Sequence, residues 1–391
     1  MDPSGGNSIS QAIIEKTSQT CTSNHKSINT LHFPLTSLTH SRQMSTPTTL
    51  PKTMKSLLQP SRTSTALTLL PSVPLPIPTH PDDVLVRVHA TAPCAGELSW
   101  AINFPEAIPP EKEMVPCQDL AGTVVTAPSS SGFVTGDRVY CRISAERAGA
   151  ARDYALPRAS ELAKIPEGMG WIEAAATPLS ALTAWQALFV QGGLDGKGIK
   201  GDEEEARERN GRKRVLITGA AGGVGSFAVQ FARLAGVGAV VAVCGGEEKA
   251  EAARRLGATE VVDYRVVSVE AWIAGDPAAR EVDLVVDMVG GKTLAGCWAA
   301  VKKDGVLVSI NTPPDLVKPA NLEGKEGVKS LFFIVEPLGS NLAEIGELIE
   351  AGKVRPAVDS VWEFGDYEKA FEKLESGRTK GKIVIKVSDE V

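Results

Sequence analysis

The segment Val215–Gly225 reads VLITGAAGGVG. An apolar run with strand character ends in Gly219, Gly222, Gly223 and Gly225, and a helical pattern begins near Ser226. A helix N-terminus offers unpaired amides and the positive end of its dipole, and glycines let a pyrophosphate come close to the backbone. Ala221, Gly222, Gly223, Val224 and Gly225 therefore form the candidate phosphate cradle. Spacing excludes two other glycine patterns. The GGKT of Gly290–Thr293 would need a glycine where Val286 stands to make a triphosphate loop. Thr218, Gly219, Gly223 and Gly225 also satisfy T-G-x-x-x-G-x-G, but enzymes that use this pattern need a tyrosine four residues before a lysine. Tyr140, Tyr154, Tyr264 and Tyr367 are followed at that distance by Ser144, Arg158, Ser268 and Phe371.

Such a cradle must be held by a sheet. RVLITG, AVVAVCGG, EVVDY, VDLVVDMVG and GVLVSIN alternate with helix patterns such as Ser226–Leu234 and Glu247–Leu256. Strands that are apolar throughout, alternating with helices, predict a parallel sheet covered on both faces. Upstream, from Lys55 to about Glu161, TALTLLPSVPLPIP, DDVLVRVHATAPC, DLAGTVVTAP and GDRVYCRI predict a β-rich domain of short strands and proline turns. Glu173–Val190 reads as helix, broken at Pro178. Asp195–Arg214, rich in glycine and in both signs of charge, reads as a solvated surface loop. The C-terminal part reads helix, helix, strand and returns to the first domain.

Composition narrows the function classes. A chain of 391 residues with 43% hydrophobic content supports two cores. A net charge of −6 predicts no nucleic-acid surface, and no apolar run reaches membrane-spanning length. The 6 cysteines form no CxxC pair, which predicts neither a disulfide framework nor a cysteine-rich zinc module and suits a reducing compartment. Residues 1–51 are rich in Ser and Thr, carry only Asp2 and Glu15 as acids and lack apolar periodicity, so they read as a disordered leader. Low acid content also fits a mitochondrial transit peptide, although Arg42 is the segment's only arginine. The expectation adopted is a cytoplasmic protein, with Met44 or Met54 as an alternative start and mitochondria as the second destination. His25, His32 and His40 lie in this leader and read as solvated residues, not metal ligands.

DDVLVRVHATAPC, DLAGTVV, GDRVY, AAATPLSALTAWQAL, VLITGAAGGVGSFAVQFARLAG, RRLGATEVVDYR, VDLVVDMVGG, GVLVSI, LIEAGKVRP and GKIVIKV follow one another in the order of a known superfamily. From about Lys55 onward the chain resembles the medium-chain dehydrogenases/reductases, in their zinc-independent quinone oxidoreductase and enoyl reductase branch. The resemblance implies an α/β fold, a Rossmann doubly wound parallel sheet plus a GroES-like β-rich catalytic domain. Residues 52–177 and 329–391 would form the catalytic domain, and 178–328, with the charged insertion 195–214, the NADP(H)-binding domain. The partner it implies is a small-molecule substrate; relatives are often homodimers.

The superfamily's zinc enzymes place ligands at positions matching Cys94, Gln118 and Leu179, and their Gly-His-Glu is Cys117-Gln118-Asp119 here. One thiol and a misplaced carboxylate do not make a tetrahedral site, so no zinc is expected. Hydride transfer to a quinone or an α,β-unsaturated carbonyl is easier without a Lewis acid than reduction of an isolated ketone, because charge develops on a remote oxygen. Alcohol dehydrogenase or carbonyl reductase activity is the alternative chemistry. A catalytically weak NADPH-binding protein is the alternative outside catalysis.

An NAD-preferring Rossmann domain ends its second strand in Asp or Glu, which hydrogen-bonds the ribose. Here Cys244 stands there, followed by Gly245 and Gly246. Lys249, one turn into the next helix, is either a point charge for a 2′-phosphate or a solvated residue. Tyr264 resembles the family's tyrosine against that phosphate, and NADPH is expected over NADH. By resemblance, Thr183 stands near the nicotinamide, and Phe332 and Phe333 either cross its face or pack in the core. The branch's proton-donating tyrosine has no counterpart in APCAGELSWAINFP, where Cys94, Glu97, Trp100 and Asn103 stand instead. Cys94, Glu97 and Trp100 are weak catalytic candidates, each with a packing or local hydrogen-bonding alternative. Tyr154 matches a structural position.

Overall fold

The computed structural model describes residues 50–199 and 203–391, so the leader reading lies outside the described residues except at its last two positions. Pro51–Val391 is one compact unit. It opens with β1 (Thr53–Leu58), β2 (Thr68–Pro74), β3 (Leu85–Ala92), the short helix α1 (Trp100–Asn103), β4 (Asp119–Thr126), β5 (Arg138–Arg142), β6 (Tyr154–Ala155) and β7 (Leu162–Lys164). Helices α2 (Trp171–Ala175) and α3 (Pro178–Trp185) follow. Pro178 breaks the helix as expected and starts the next one from its first position, where a missing N–H costs nothing.

The central part runs α4 (Glu204–Gly211), β8 (Arg214–Thr218), α5 (Gly223–Leu234), β9 (Ala239–Cys244), α6 (Glu247–Leu256), β10 (Glu260–Asp263), α7 (Val269–Ala274), α8 (Pro277–Arg280), β11 (Val282–Asp287), α9 (Gly291–Ala300), β12 (Val301–Ser309) and β13 (Lys329–Phe332). Its strands form one parallel sheet in the order β10-β9-β8-β11-β12-β13. That is the Rossmann order, with β8 at the point where the winding reverses and ligands bind. Every residue of β9 is buried, as a strand covered on both faces requires. The chain closes with α10 (Gly339–Glu350), β14 (Val358–Glu363), α11 (Tyr367–Glu375) and β15 (Lys382–Lys386). Strands β14 and β15 join the β-rich domain, whose sheet has the order β14-β15-β3-β4-β5-β7. The fold is thus a Rossmann domain plus a separate GroES-like β-rich domain.

One core fills the β-rich domain around Val88, Leu120, Val139 and Ile385. A second runs through the seam, where Leu182 and Phe231 pack with Val384. A third lies under the far face of the parallel sheet, around Trp298.

Four local expectations are corrected. Helix α5 starts at Gly223, not near Ser226, so the last glycines of the cradle lie within its first turn. The insertion Asp195–Arg214 is not all loop. Helix α4 buries Ala206 and Asn210, and Asn210 bonds to both backbone groups of Asp195 (3.0 Å each) and to Ala235 O (2.9 Å). The charged face around these two residues hides them in the sequence. Strand β14 lies between the two C-terminal helices, where no strand was expected. Finally, Lys329–Phe332 extends the parallel sheet beside β12, so at 329 the chain is still in the nucleotide-binding domain.

Candidate functional site

The cradle closes over its own backbone. A Cβ on Gly225 would stand 2.6 Å from Ala220 Cα and closer still to the Gly219 carbonyl oxygen. Only glycine lets the turn and the helix approach this closely. The loop is also clamped from the β-rich domain. Gly381 N donates to Ala221 O (3.0 Å), and the Lys382 side chain lies against Gly223. Beside it, Asp287 organises the carboxyl ends of three adjacent strands. Its carboxylate accepts from Thr218 Oγ1 (2.7 Å), Gly290 N (2.8 Å) and Ser309 Oγ (3.1 Å). A fully buried carboxylate is tolerable only with such a set of donors.

At the end of β9, Cys244 is buried and its thiol is pushed up by that burial. The carboxylate nearest to this position, Asp263, is committed. It accepts from Gly246 N (2.9 Å) and pairs with Arg265 (3.3 Å). The ring of Tyr264 lies against Gly245, and a Cβ on Gly246 (φ 89°) would stand 2.7 Å from Arg265 Cζ. Lys249 is half-buried on the first turn of α6. Tyr264 and the Asp263–Arg265 pair thus flank the Gly245–Gly246 turn, with Lys249 on the helix that follows it.

The third cluster lies at the seam. The Asp119 carboxylate accepts from Leu179 N (2.6 Å) and pairs with Lys382 Nζ (3.0 Å), which also donates to Pro93 O (2.8 Å). Both side chains are buried. Burial works most strongly against the Lys382 ammonium, but Asp119, Cys94 and Glu97 together outweigh it and hold the pKa above its ordinary value. Cys94, next to Pro93, keeps a little accessible surface, yet desolvation pushes its thiol up to about 12. It is a neutral thiol, not a thiolate nucleophile. Glu97 Oε1 accepts from Cys117 N (3.1 Å) and so supports the left-handed Cys117 backbone (φ 66°). Glu97 and Trp100 line a cavity of about 10 Å³, together with Lys112 and Gln118.

Residues 80–167 match the family described as Alcohol dehydrogenase GroES-like domain, and residues 256–385 match Zinc-binding dehydrogenase. A "Probable zinc-binding oxidoreductase, mitochondrial" of Arthroderma benhamiae is 47% identical, covering 88% of this chain and 100% of the relative. A mitochondrial NAD(P)H oxidoreductase of Mus musculus is 31% identical, covering 80% and 84%. A chloroplast envelope quinone oxidoreductase homolog of Arabidopsis thaliana is 30% identical, covering 81% and 93%. The chain belongs to the medium-chain dehydrogenase/reductase superfamily. It falls in the quinone oxidoreductase-like branch, a family of pyridine-nucleotide oxidoreductases.

Against the sequence reading, this oxidoreductase brings Ala221–Gly225 together as a cradle and gathers Cys244, Lys249 and Tyr264 at the end of β9. Thr183 lies in α3, where its hydroxyl donates to Leu179 O (2.6 Å). Phe333 packs against the seam core, while Phe332 stacks on Phe104 across the seam at 6.0 Å. Asn103 is exposed. Arg265, Asp287, Lys382 and Arg142 were not singled out. A signal existed for Asp287: Thr218, Asp287 and Ser309 are polar residues that close the apolar runs 215–217, 284–286 and 306–308.

The superfamily's zinc positions do not fit a metal here. Gln118, with its amide oriented to donate, meets the Ile143 and Ser144 carbonyls at 3.1 Å. Asp119 is taken by Lys382 and Leu179, and Leu179 offers no side-chain donor atom. Among the described residues no three His, Cys, Asp or Glu side chains gather as a metal site.

Glu97 makes a testable electrostatic prediction. Burial pushes its carboxyl from 4.5 up to about 7, against the pull of Lys382 and the Cys117 amide. Folded Glu97 therefore keeps its proton over a range where the unfolded chain has lost it. Its contribution to stability is full below about pH 4.5 and is lost as pH rises through about 7. Glu97→Gln keeps an oxygen for Cys117 N and removes the ionisation. Relative to the natural protein, it should gain about 2–3 kcal/mol between pH 5 and pH 8, at 1.36 kcal/mol per pKa unit. Urea midpoints across that range check this; a constant difference would mean that Glu97 ionises normally.

Proposed function

We propose that this protein is an NADPH-dependent oxidoreductase that reduces a conjugated carbonyl, a quinone or an α,β-unsaturated ketone or enoyl compound, without zinc. The observation that carries the cofactor reading is the end of β9, where Cys244-Gly245-Gly246 supplies no carboxylate for the ribose, Tyr264 and Arg265 lie against the turn and Lys249 follows in the first turn of α6. A carboxylate there would repel a 2′-phosphate; cations attract it. The first turn of α5 would hold the pyrophosphate, and the dinucleotide, when bound, supplies the hydride. The conjugated acceptor is supported by the donor set at Cys94, Gln118 and Leu179, which offers no Lewis acid to polarise an isolated ketone. An NADPH-oxidation panel of quinones and enones tests the activity. No turnover with NADPH bound would favour the second reading, a weakly catalytic binding protein, which the missing proton-donating tyrosine supports.

Fluorescence titration with NADPH and NADH tests the cofactor. Lys249→Glu should weaken NADPH by at least about ten-fold, the loss of one charged contact of 1.4 kcal/mol or more, and leave NADH nearly unchanged. An unaltered ratio would remove Lys249 from the site. For location, the names of the two mitochondrial relatives and the acid-poor leader support mitochondria over the cytoplasm expected from sequence.

A further inference from the structure

Arg142 ends β5 directly opposite Asp119 of β4. Cross-strand partners in an antiparallel sheet project from the same face. On that face Asp119 meets Lys382 and the N-terminus of α3, so Arg142 belongs to the seam between the domains. It is only 3% exposed. A guanidinium carries five donors, and burying them without acceptors is costly. Yet Nε has no hydrogen-bond partner, and no carboxylate approaches the guanidinium within 4 Å among the described residues. The carboxylates that could have paired with it are used elsewhere. Glu161 is bound by Arg147, Ser144 N and Arg158 N, and Asp119 by Lys382 and Leu179 N. The charges that act on Arg142 include those of Glu161 and Asp119, and Cys94 lies within the same electrostatic reach.

We propose that Arg142 is the receptor for the acceptor's oxygen: its buried guanidinium, whose Nε has no partner, takes an oxygen that is, or becomes, negatively charged. The proposal rests on the reading of the protein as a conjugated-carbonyl reductase and names the residue that makes such substrates fit. An acceptor that gains a hydride carries one negative charge on its oxygen until a proton from water discharges it. Donors fixed in a dry seam stabilise that charge far more than bulk water does. A planar fork also suits a quinone or carboxylate oxygen better than an ammonium would. Substrates with an oxygen at the distal end of the conjugated system, or with a carboxylate beside it, are therefore favoured over simple alkenones.

The test separates binding from turnover. Benzoate, a planar ring bearing a charged oxygen pair, is titrated into the protein saturated with NADP+, with tryptophan fluorescence as readout. The natural protein should bind it saturably, and Arg142→Met should weaken it at least ten-fold with NADPH affinity unchanged. Arg142→Lys, which keeps the charge and protects the fold if the methionine variant is unstable, should lie between. In turnover, Arg142→Ala should lose at least about 100-fold in kcat/KM for a quinone, the scale of removing one transition-state donor. Millimolar guanidinium should restore part of it, which it would not do for a merely structural arginine. Equal benzoate binding by the natural and Arg142→Met proteins, or no binding by the natural protein, would overturn the proposal. If benzoate binding depends on Arg142 but no quinone or enone is reduced, the activity reading fails and the oxygen site stands.

Discussion

Gly225→Ala is expected to abolish measurable binding of NADPH and NADH alike. The added Cβ would stand 2.6 Å from Ala220 Cα and closer still to the Gly219 carbonyl oxygen, and neither can move aside, because both obstacles are backbone. Turn and helix must separate, and overpacking of this kind costs about 3 kcal/mol or more. The same displacement carries the first-turn amides of α5 away from the pyrophosphate they would hold. Gly222→Ala is the control. Its Cβ would stand 3.2 Å from the Gly219 carbonyl oxygen, a crowding that a shift of a few tenths of an ångström relieves. Urea unfolding and fluorescence titration of both variants check the contrast. Natural affinity in Gly225→Ala would show that the loop does not cradle the dinucleotide. Because the pyrophosphate is common to both dinucleotides, Gly225→Ala should not discriminate between them. Lys249→Glu should discriminate, and the pair of variants separates the cradle from the specificity turn.

These two regions were legible in the sequence for a physical reason. The cradle is local: a strand, a burst of glycines and a helix lie next to one another in the chain, and their spacing alone reports the geometry. Cys244, Gly245 and Gly246 are likewise read at the end of one strand. The parallel sheet, covered on both faces, followed from apolar strands alternating with helices. The seam was not legible, because its partners come from distant parts of the chain. Lys382 lies in the C-terminal strand and meets Asp119 of β4, and nothing in GKIVIKV marks its lysine as buried. Arg142 looks like any arginine at a strand end until the sheet sets it beside Asp119. Asn210 was hidden differently: its neighbours Glu205, Arg207, Glu208 and Arg209 give the segment a solvated character, and only packing shows that one polar side chain in it is fully buried. Glycine patterns record backbone constraints that a sequence reader can recover, whereas a buried charge pair is recorded only in three dimensions.

That pair yields the other large effect. Asp119 is fully buried and Lys382 nearly so, with 3.0 Å between them. Removing one partner of a buried ion pair strands the other charge and typically costs about 3–5 kcal/mol. Asp119→Asn is expected to fall in that range even though its amide oxygen can still accept from Leu179 N, because the Lys382 ammonium is left without a counter-charge. Lys382→Met should cost a similar amount, for the complementary reason. The two changes together should cost clearly less than their sum, with a coupling of about 2 kcal/mol or more in a double-mutant cycle. Additive losses would mean that the two residues stabilise the fold separately. The cycle has a second readout in dinucleotide affinity. The Lys382 side chain packs on Gly223, so the ammonium that neutralises Asp119 also stands at the edge of the cradle. If the pair serves only the fold, the double variant should recover cofactor affinity together with stability. If the ammonium also attracts the pyrophosphate, stability should recover while NADPH and NADH affinity stays low in both Lys382→Met backgrounds.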